Sequence, residues 1–349
     1  MHLEEIQKYD GSDMFSVLKS FPSQVEDAIR IANDFEFKNL KPGGISNIIV
    51  SGLGGSAIGG DYVRSYAGYE LPVPMIINRG YNLPAFADEN TLVIISSYSG
   101  NTEETLSAFK EAIERKCRIV CITSGGEVER IAVENDLDIV KVPGGYQPRC
   151  AIGYSFFINL KLLIKLGLIS PREGEIDYTI KHLHNLSGKY SDHTLEGNNP
   201  LSVAEALHGS LPVIYSSSDI LDTVNMRWRG QISENAKVLA YGNFFPEMNH
   251  NELVGWKLNE EILRKIVVVS LIDPDDNERV KLRMEITSEI FSKEAAGMVA
   301  IESSAINKLG RIMELTYLGD WVSFYLAILN KVDPSPIDVI NYLKGKLAG

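Results

Sequence analysis

Ser97-Tyr98-Ser99-Gly100-Asn101-Thr102 crowds three small hydroxyl side chains around a glycine, where an apolar run gives way to a helical pattern. Ahead of it, Leu92-Val93-Ile94-Ile95 suits a strand buried on both faces, and Glu103-Glu104-Thr105-Leu106 behind it opens a helix. The start of a helix leaves backbone N–H groups unpaired and carries partial positive charge, so a hydroxyl-rich turn at that point suits a phosphate. Gly52-Leu53-Gly54-Gly55-Ser56 forms a second turn of the same kind, after the apolar run 45–50 and before a helical pattern over 57–66.

Two other readings of these turns are open. Gly52-x-Gly54-x-x-Ala57 fits a dinucleotide-binding fingerprint, and Asn78-Arg79 after the next strand suits a 2′-phosphate, so an NADP-linked oxidoreductase is one alternative. Capping of the helix by Ser99 or Thr102 is the other, but a cap uses a single hydroxyl and leaves the rest unexplained. The cluster of Ser97, Ser99 and Thr102 favours a monophosphate over a dinucleotide. A nucleoside triphosphate loop is excluded, because no Gly-Lys-Ser/Thr follows the glycines.

The elements that must position these turns alternate between strand and helix. Strands are expected at 45–50, 73–78, 91–97, 117–123 and 137–142, with helices at 57–66, 103–115 and 128–135, an order that implies a parallel sheet covered on both faces. Two short helices, interrupted at Pro22, lead in over 13–36, and an apolar helix over 154–168 closes this half before Ser170-Pro171. The second half repeats the outline, with strands at 212–217, 265–271 and 298–303 and helices at 220–237, 278–293 and 309–329.

Composition narrows the function further. With 349 residues, 44% of them hydrophobic and 23% charged, the chain reads as a soluble globular protein of two domains, with apolar runs short of a membrane span. No signal-peptide pattern opens it, so a cytoplasmic location is expected. A net charge of −12 argues against nucleic acid as a partner. Cys117, Cys121 and Cys150 offer neither a disulfide framework nor a metal-ligand spacing, and are expected to be small buried thiols.

Taken together, the two turns resemble the sugar isomerase (SIS) domain. Pro148-Arg149, Gln231-Ile232-x-Glu234-Asn235-Ala236-Lys237, Asn249-His250-Asn251-Glu252, Leu318-Gly319-Asp320 and Asp333-Pro334 narrow the resemblance to the bifunctional phosphoglucose/phosphomannose isomerases, from about residue 45 onward. This resemblance implies two SIS-type domains, each a mostly parallel, doubly wound, flavodoxin-like sheet flanked by helices. On this chain they fall at 45–169 and 201–333, with a helical lead-in at 1–44, a connector at 170–200 and a C-terminal helix at 334–349. It also implies a homodimer with sites near the subunit interface, acting on hexose 6-phosphates with no metal and no cofactor.

Aldose–ketose isomerisation through a cis-enediolate needs a base, a cation and an acid/base that opens the sugar ring. The resemblance assigns the base to Glu234. Its helix carries Leu221, Val224, Trp228 and Ile232 along one side, and at about 100° per residue Glu234 sits roughly opposite Leu221, free to face a cleft. His250, in a polar run expected to be a loop that begins a helix, is assigned ring opening, in the family from the neighbouring subunit. Arg149 offers a permanently charged fork for the enediolate oxygens, and Lys344 matches a family lysine close to the substrate. Gly54, Gly55, Ser56, Ser97, Tyr98, Ser99, Thr102 and Ser335 are the expected phosphate and sugar contacts. Ser335 departs from the family, where threonine often precedes this proline; the hydroxyl is kept and the methyl is lost. The remaining alternative is a sugar-phosphate-binding regulatory protein, which has no need of Glu234 or His250.

Overall fold

The computed structural model describes residues 3–347, so the outermost residues of the expected lead-in and C-terminal helix lie outside it. The chain divides into two compact units: residues 21–180, and the residues up to Ser20 joined to those from Lys181 onward. Two helices of the second unit, α1 (Leu3–Tyr9) and α2 (Met14–Lys19), come first in the chain.

The unit of residues 21–180 begins with α3 (Phe21–Asp34), where Pro22 is tolerated because it falls in the first turn. Then follow β1 (Asn47–Ser51), α4 (Gly55–Ala67), β2 (Met75–Asn78), β3 (Thr91–Ser96), α5 (Glu103–Glu114), β4 (Arg118–Thr123), α6 (Gly126–Glu134), β5 (Asp138–Lys141) and α7 (Ile152–Lys165). The five strands form one parallel sheet in the order β2-β1-β3-β4-β5. As the unbroken apolar run predicts, every residue of β3 is buried. Ile49, Val93, Ile95 and Cys121 pack with Phe109 and Val128 in one core layer. On α4, Gly59 lets α7 approach closely, since a Cβ there would lie 2.6 Å from the Ser155 backbone. All three cysteines are buried free thiols, and burial pushes the Cys121 thiol upward.

The second unit continues through α8 (Glu173–Tyr190), which runs across the division, to α9 (Asn199–Leu207), β6 (Leu211–Ser217), α10 (Asp222–Ala236), β7 (Tyr241–Phe245), α11 (Glu260–Leu263) and β8 (Ile266–Ile272). It ends with α12 (Glu278–Glu294), β9 (Gly297–Glu302), α13 (Lys308–Leu329) and α14 (Asp338–Leu347). Its four strands are also all parallel, in the order β7-β6-β8-β9. This is the order of the first sheet one strand short, which fits a duplication. Three elements exceed the expectation from sequence: α9, the edge strand β7 and the one-turn helix α11. At 22 residues α13 also meets the length and apolarity of a membrane span, unlike any run expected from the sequence, but 94% of that window is buried inside the structure. It is the core helix of its unit: α2 packs on it through Phe15 against Trp321, and the Tyr317 hydroxyl donates to Leu18 O at 2.8 Å.

Candidate active site

In a parallel sheet of this order, the strand order reverses between β1 and β3, the switch point from which the loops leaving their carboxyl ends part to form a crevice. Those loops are the two sequence-predicted turns. They are laced together: Ser96 Oγ donates to Ser56 O at 3.1 Å, and Tyr98 N donates to Ser56 Oγ at 3.1 Å. Thr102 takes the cap position of α5, yet its side chain makes no capping bond; instead Ser97 Oγ donates to Thr102 Oγ1 at 3.4 Å. Capping therefore does not account for Thr102. The first backbone N–H groups of a twelve-residue helix face the same turn as these hydroxyls, which is the donor set an anion requires.

Glycine is required where this loop folds back on the next one. Gly100 has φ 70°, and a Cβ there would collide with Gly125 O, while Val128 N donates to Gly100 O at 2.9 Å. Ser99 is exposed, with its Oγ accepting from Asn101 N at 3.3 Å. The Tyr98 phenol works within the protein: it donates to Pro143 O at 2.8 Å and accepts from Tyr146 N at 3.0 Å. Burial pushes its pKa up, so it stays a donor.

Arg149 lies in a short 3-10 turn, Pro148–Cys150, and is 5% exposed. The turn sits against the first residue of α4, where a Cβ on Gly55 would lie 2.5 Å from Pro148 O. The buried Gln24 of α3 fixes it from behind: Gln24 Nε2 donates to Cys150 O and Gly153 N donates to Gln24 Oε1, both at 2.9 Å. Sequence reasoning gave Gln24 no role, because a glutamine in a lead-in helix carries no local signal. Thus Gly55, Ser56, Ser97, Tyr98, Ser99, Thr102 and Arg149 are gathered at one end of one sheet, with Gly54, at φ 52°, capping α4. The hollow lined by Ser56, Tyr98, Pro148 and Tyr154 is about 10 Å³, room for about one water molecule rather than a sugar. Arg79, which would have suited a 2′-phosphate, pairs instead with the buried Asp61 of α4, so the dinucleotide reading loses its supporting cation.

The other unit treats the same position differently. At the carboxyl ends of β6 and β8, Ser217 Oγ donates to Asp276, and Arg311 binds Asp273 (Nε to Oδ2, 2.8 Å) and Asp275. Here the carboxyl ends of the strands carry carboxylates, and the guanidinium among them is engaged by two of these.

Glu234 lies near the end of α10, half-buried. Leu221, Val224, Trp228 and Ile232 are fully buried, as their spacing predicts. A polar ladder runs beside them at intervals of four. Arg227 donates to both Asp320 oxygens at 2.9 and 2.8 Å, Gln231 Nε2 donates to Asp320 Oδ1 at 3.0 Å, and Asn235 Nδ2 donates to Ser323 Oγ at 2.9 Å. Burial raises the Asp320 carboxyl, while Arg227 and Gln231 pull it back toward ionisation. Trp228 Nε1 donates to Leu315 O at 2.8 Å, and Gly319 leaves space for the Trp228 indole, with which any Cβ would collide. The motif residues Gln231, Asn235, Gly319 and Asp320 therefore fasten the helix that presents Glu234.

Lys237, left-handed at φ 60°, donates to Glu234 O at 2.5 Å and to Pro334 O at 3.2 Å, tying the end of α10 to the segment holding Ser335. Ser335 is buried, and its N–H donates to Asp333 Oδ1 at 2.8 Å. His250 stands exposed at the end of a 3-10 turn, Glu247–His250, followed by a second such turn, Glu252–Gly255, rather than at the start of an α-helix. Lys344 is exposed on α14, none of whose described side chains is buried. Glu234, His250, Lys344 and Ser335 thus come from four separate segments of this unit.

A family model, the bacterial phospho-glucose isomerase C-terminal SIS domain, matches residues 196–347. A bifunctional phosphoglucose/phosphomannose isomerase from Caldicellulosiruptor bescii is 42% identical over 336 residues, covering 96% of this chain and 99% of that protein. The chain belongs to the bifunctional phosphoglucose/phosphomannose isomerase family. A further family member, from Aquifex aeolicus, is 36% identical over 90% of this chain and 95% of its own. The family fold extends to distant structures: the C-terminal domain of a glucosamine-fructose-6-phosphate aminotransferase from Francisella tularensis superposes with a TM-score of 0.74 at 13% identity, covering 93% of this chain and 99% of that one.

Proposed function

We propose that this protein interconverts glucose 6-phosphate or mannose 6-phosphate with fructose 6-phosphate through a cis-enediolate, without a metal ion. The observation that carries this reading is the start of α5, where Ser97 and Thr102, which makes no capping bond, place their hydroxyls together at the end of a helix whose first N–H groups suit an anion, in a member of this family. Ser56 and Ser99 complete the phosphate contacts. Binding energy gathered at the remote phosphate then holds C1 and C2 for reaction.

In this mechanism His250 moves the proton between the ring oxygen and O1 that opens the hexose. The Glu234 carboxylate takes the proton from C2 and returns it to C1, while the hydroxyl proton of O2 passes to O1, leaving O2 as the ketone oxygen. Arg149 stabilises the negative enediolate oxygens, Lys344 acts beside the substrate, and Ser335 contacts the sugar. We place the two SIS domains at 45–169 and 201–333 and take the working form to be a cytoplasmic homodimer that uses neither cofactor nor nucleic acid.

A coupled assay for fructose 6-phosphate from each aldose phosphate tests the reading, and turnover of both is expected. Binding without turnover would make the protein a sugar-phosphate sensor instead. Ser97→Ala and Thr102→Val should each raise KM about tenfold or more, the worth of a hydrogen bond to a charged group, with a smaller effect on kcat. An unchanged KM in both variants would remove the loop from phosphate binding.

A further inference from the structure

We infer that Glu252 is a positioning residue for His250, acting through a staple to the Tyr215 hydroxyl; this rests on the role for His250 proposed above. His250 is exposed, in a segment with little regular structure, yet a proton-transfer group must be held in place. On its amino side the segment is anchored by Met248, fully buried in the core, and by Asn249, whose Nδ2 donates to Thr287 Oγ1 at 3.2 Å. On its carboxyl side the anchor is the Glu252 carboxylate. One oxygen accepts from the buried Tyr215 hydroxyl of β6, and the other accepts from Asn243 Nδ2 of β7 at 2.7 Å.

The Tyr215 hydroxyl also accepts from Trp256 Nε1 at 3.2 Å, so one phenol on the sheet receives both Glu252 and Trp256. Both rings are wedged by Phe291, stacked on Tyr215 at 5.1 Å and packed against Trp256 at 4.4 Å. Residues 251 to 256 therefore cannot shift without breaking bonds to two strands. Nothing in this staple touches a reacting atom; it fixes where the imidazole stands.

A double-mutant cycle separates positioning from mere stability. Glu252→Ala should lower kcat about tenfold or more with little change in KM, as a misplacement of about 1 Å can do. In a His250→Ala background the same substitution should add less than about twofold, because a residue acting through His250 has nothing left to act on. Tyr215→Phe, which removes the same staple from its other end, should show the same non-additivity, and Glu252→Gln, which keeps an acceptor for Tyr215, should recover part of the loss. Equal effects of Glu252→Ala and Tyr215→Phe with and without His250 would overturn the inference, as would wild-type kcat in either variant. If the wild-type enzyme is inactive, or His250→Ala is fully active, the functional reading itself fails and takes the inference with it.

Discussion

Glu234→Gln is expected to lower kcat by about 10²–10⁴-fold, the range for removing a positioned general base, and to shift KM for either aldose phosphate by less than about threefold. The amide has the same shape as the carboxylate but cannot accept the C2 proton. Its helix should not move, because α10 is fixed elsewhere, by Trp228 in the Gly319 notch and by the ladder from Arg227, Gln231 and Asn235. In the proposed mechanism the phosphate contacts come from residues 56 and 97–102, so ground-state binding should survive. Steady-state kinetics together with calorimetric titration of a sugar phosphate check this, and turnover near the wild-type rate would remove Glu234 from the mechanism.

Asp320→Ala is expected to destabilise the protein by about 3–5 kcal/mol, the usual loss when one member of a buried ion pair is removed. Arg227 and Asp320 are each less than 5% exposed. Truncation would leave a buried guanidinium without its bidentate acceptor and Gln231 without its own. Replacing the pair together, Arg227→Met with Asp320→Leu, should recover much of the loss, since apolar residues of similar volume can substitute for a buried pair. Urea denaturation reads both variants. A change within about 0.5 kcal/mol for Asp320→Ala would show that the ladder is not what fastens α10.

The alternating strands and helices were legible because parallel strands buried on both faces are continuously apolar, as in Leu92 to Ile95. The hydroxyl-rich turn between β3 and α5 was legible because its residues are neighbours in sequence. What escaped was set by distance or by the sheet edge. The strand β7, Tyr241-Gly242-Asn243-Phe244-Phe245, has its aromatic residues interrupted by the strand-disfavouring Gly242-Asn243 and is mostly half-exposed at an edge, so no alternation marks it. The helix α9 begins with Asn198 capping Leu201 N, next to Pro200 in the first turn. That cap-and-proline signal was present but lay in a stretch rich in charge and polar residues. The attachment of α2 to α13, through Tyr317 and Leu18, joins residues too far apart for any local pattern to reveal.

Among the site residues, sequence motifs mixed two kinds. Gln231, Asn235 and Asp320 sit in the motifs because they hold a helix, and Glu252 because it holds a loop. Only three-dimensional contacts separate these from Glu234 and His250, for which the catalytic roles are proposed.

The most direct test is to incubate the purified protein with mannose 6-phosphate as the sole sugar, in D₂O with EDTA, and to follow the products by NMR. The account predicts fructose 6-phosphate and then glucose 6-phosphate, with deuterium entering at C1 of the ketose and C2 of the aldose, because a side-chain base that carries the proton exchanges it with solvent. Mannose 6-phosphate recovered unchanged, activity abolished by EDTA, or products formed with no deuterium at either carbon would contradict it.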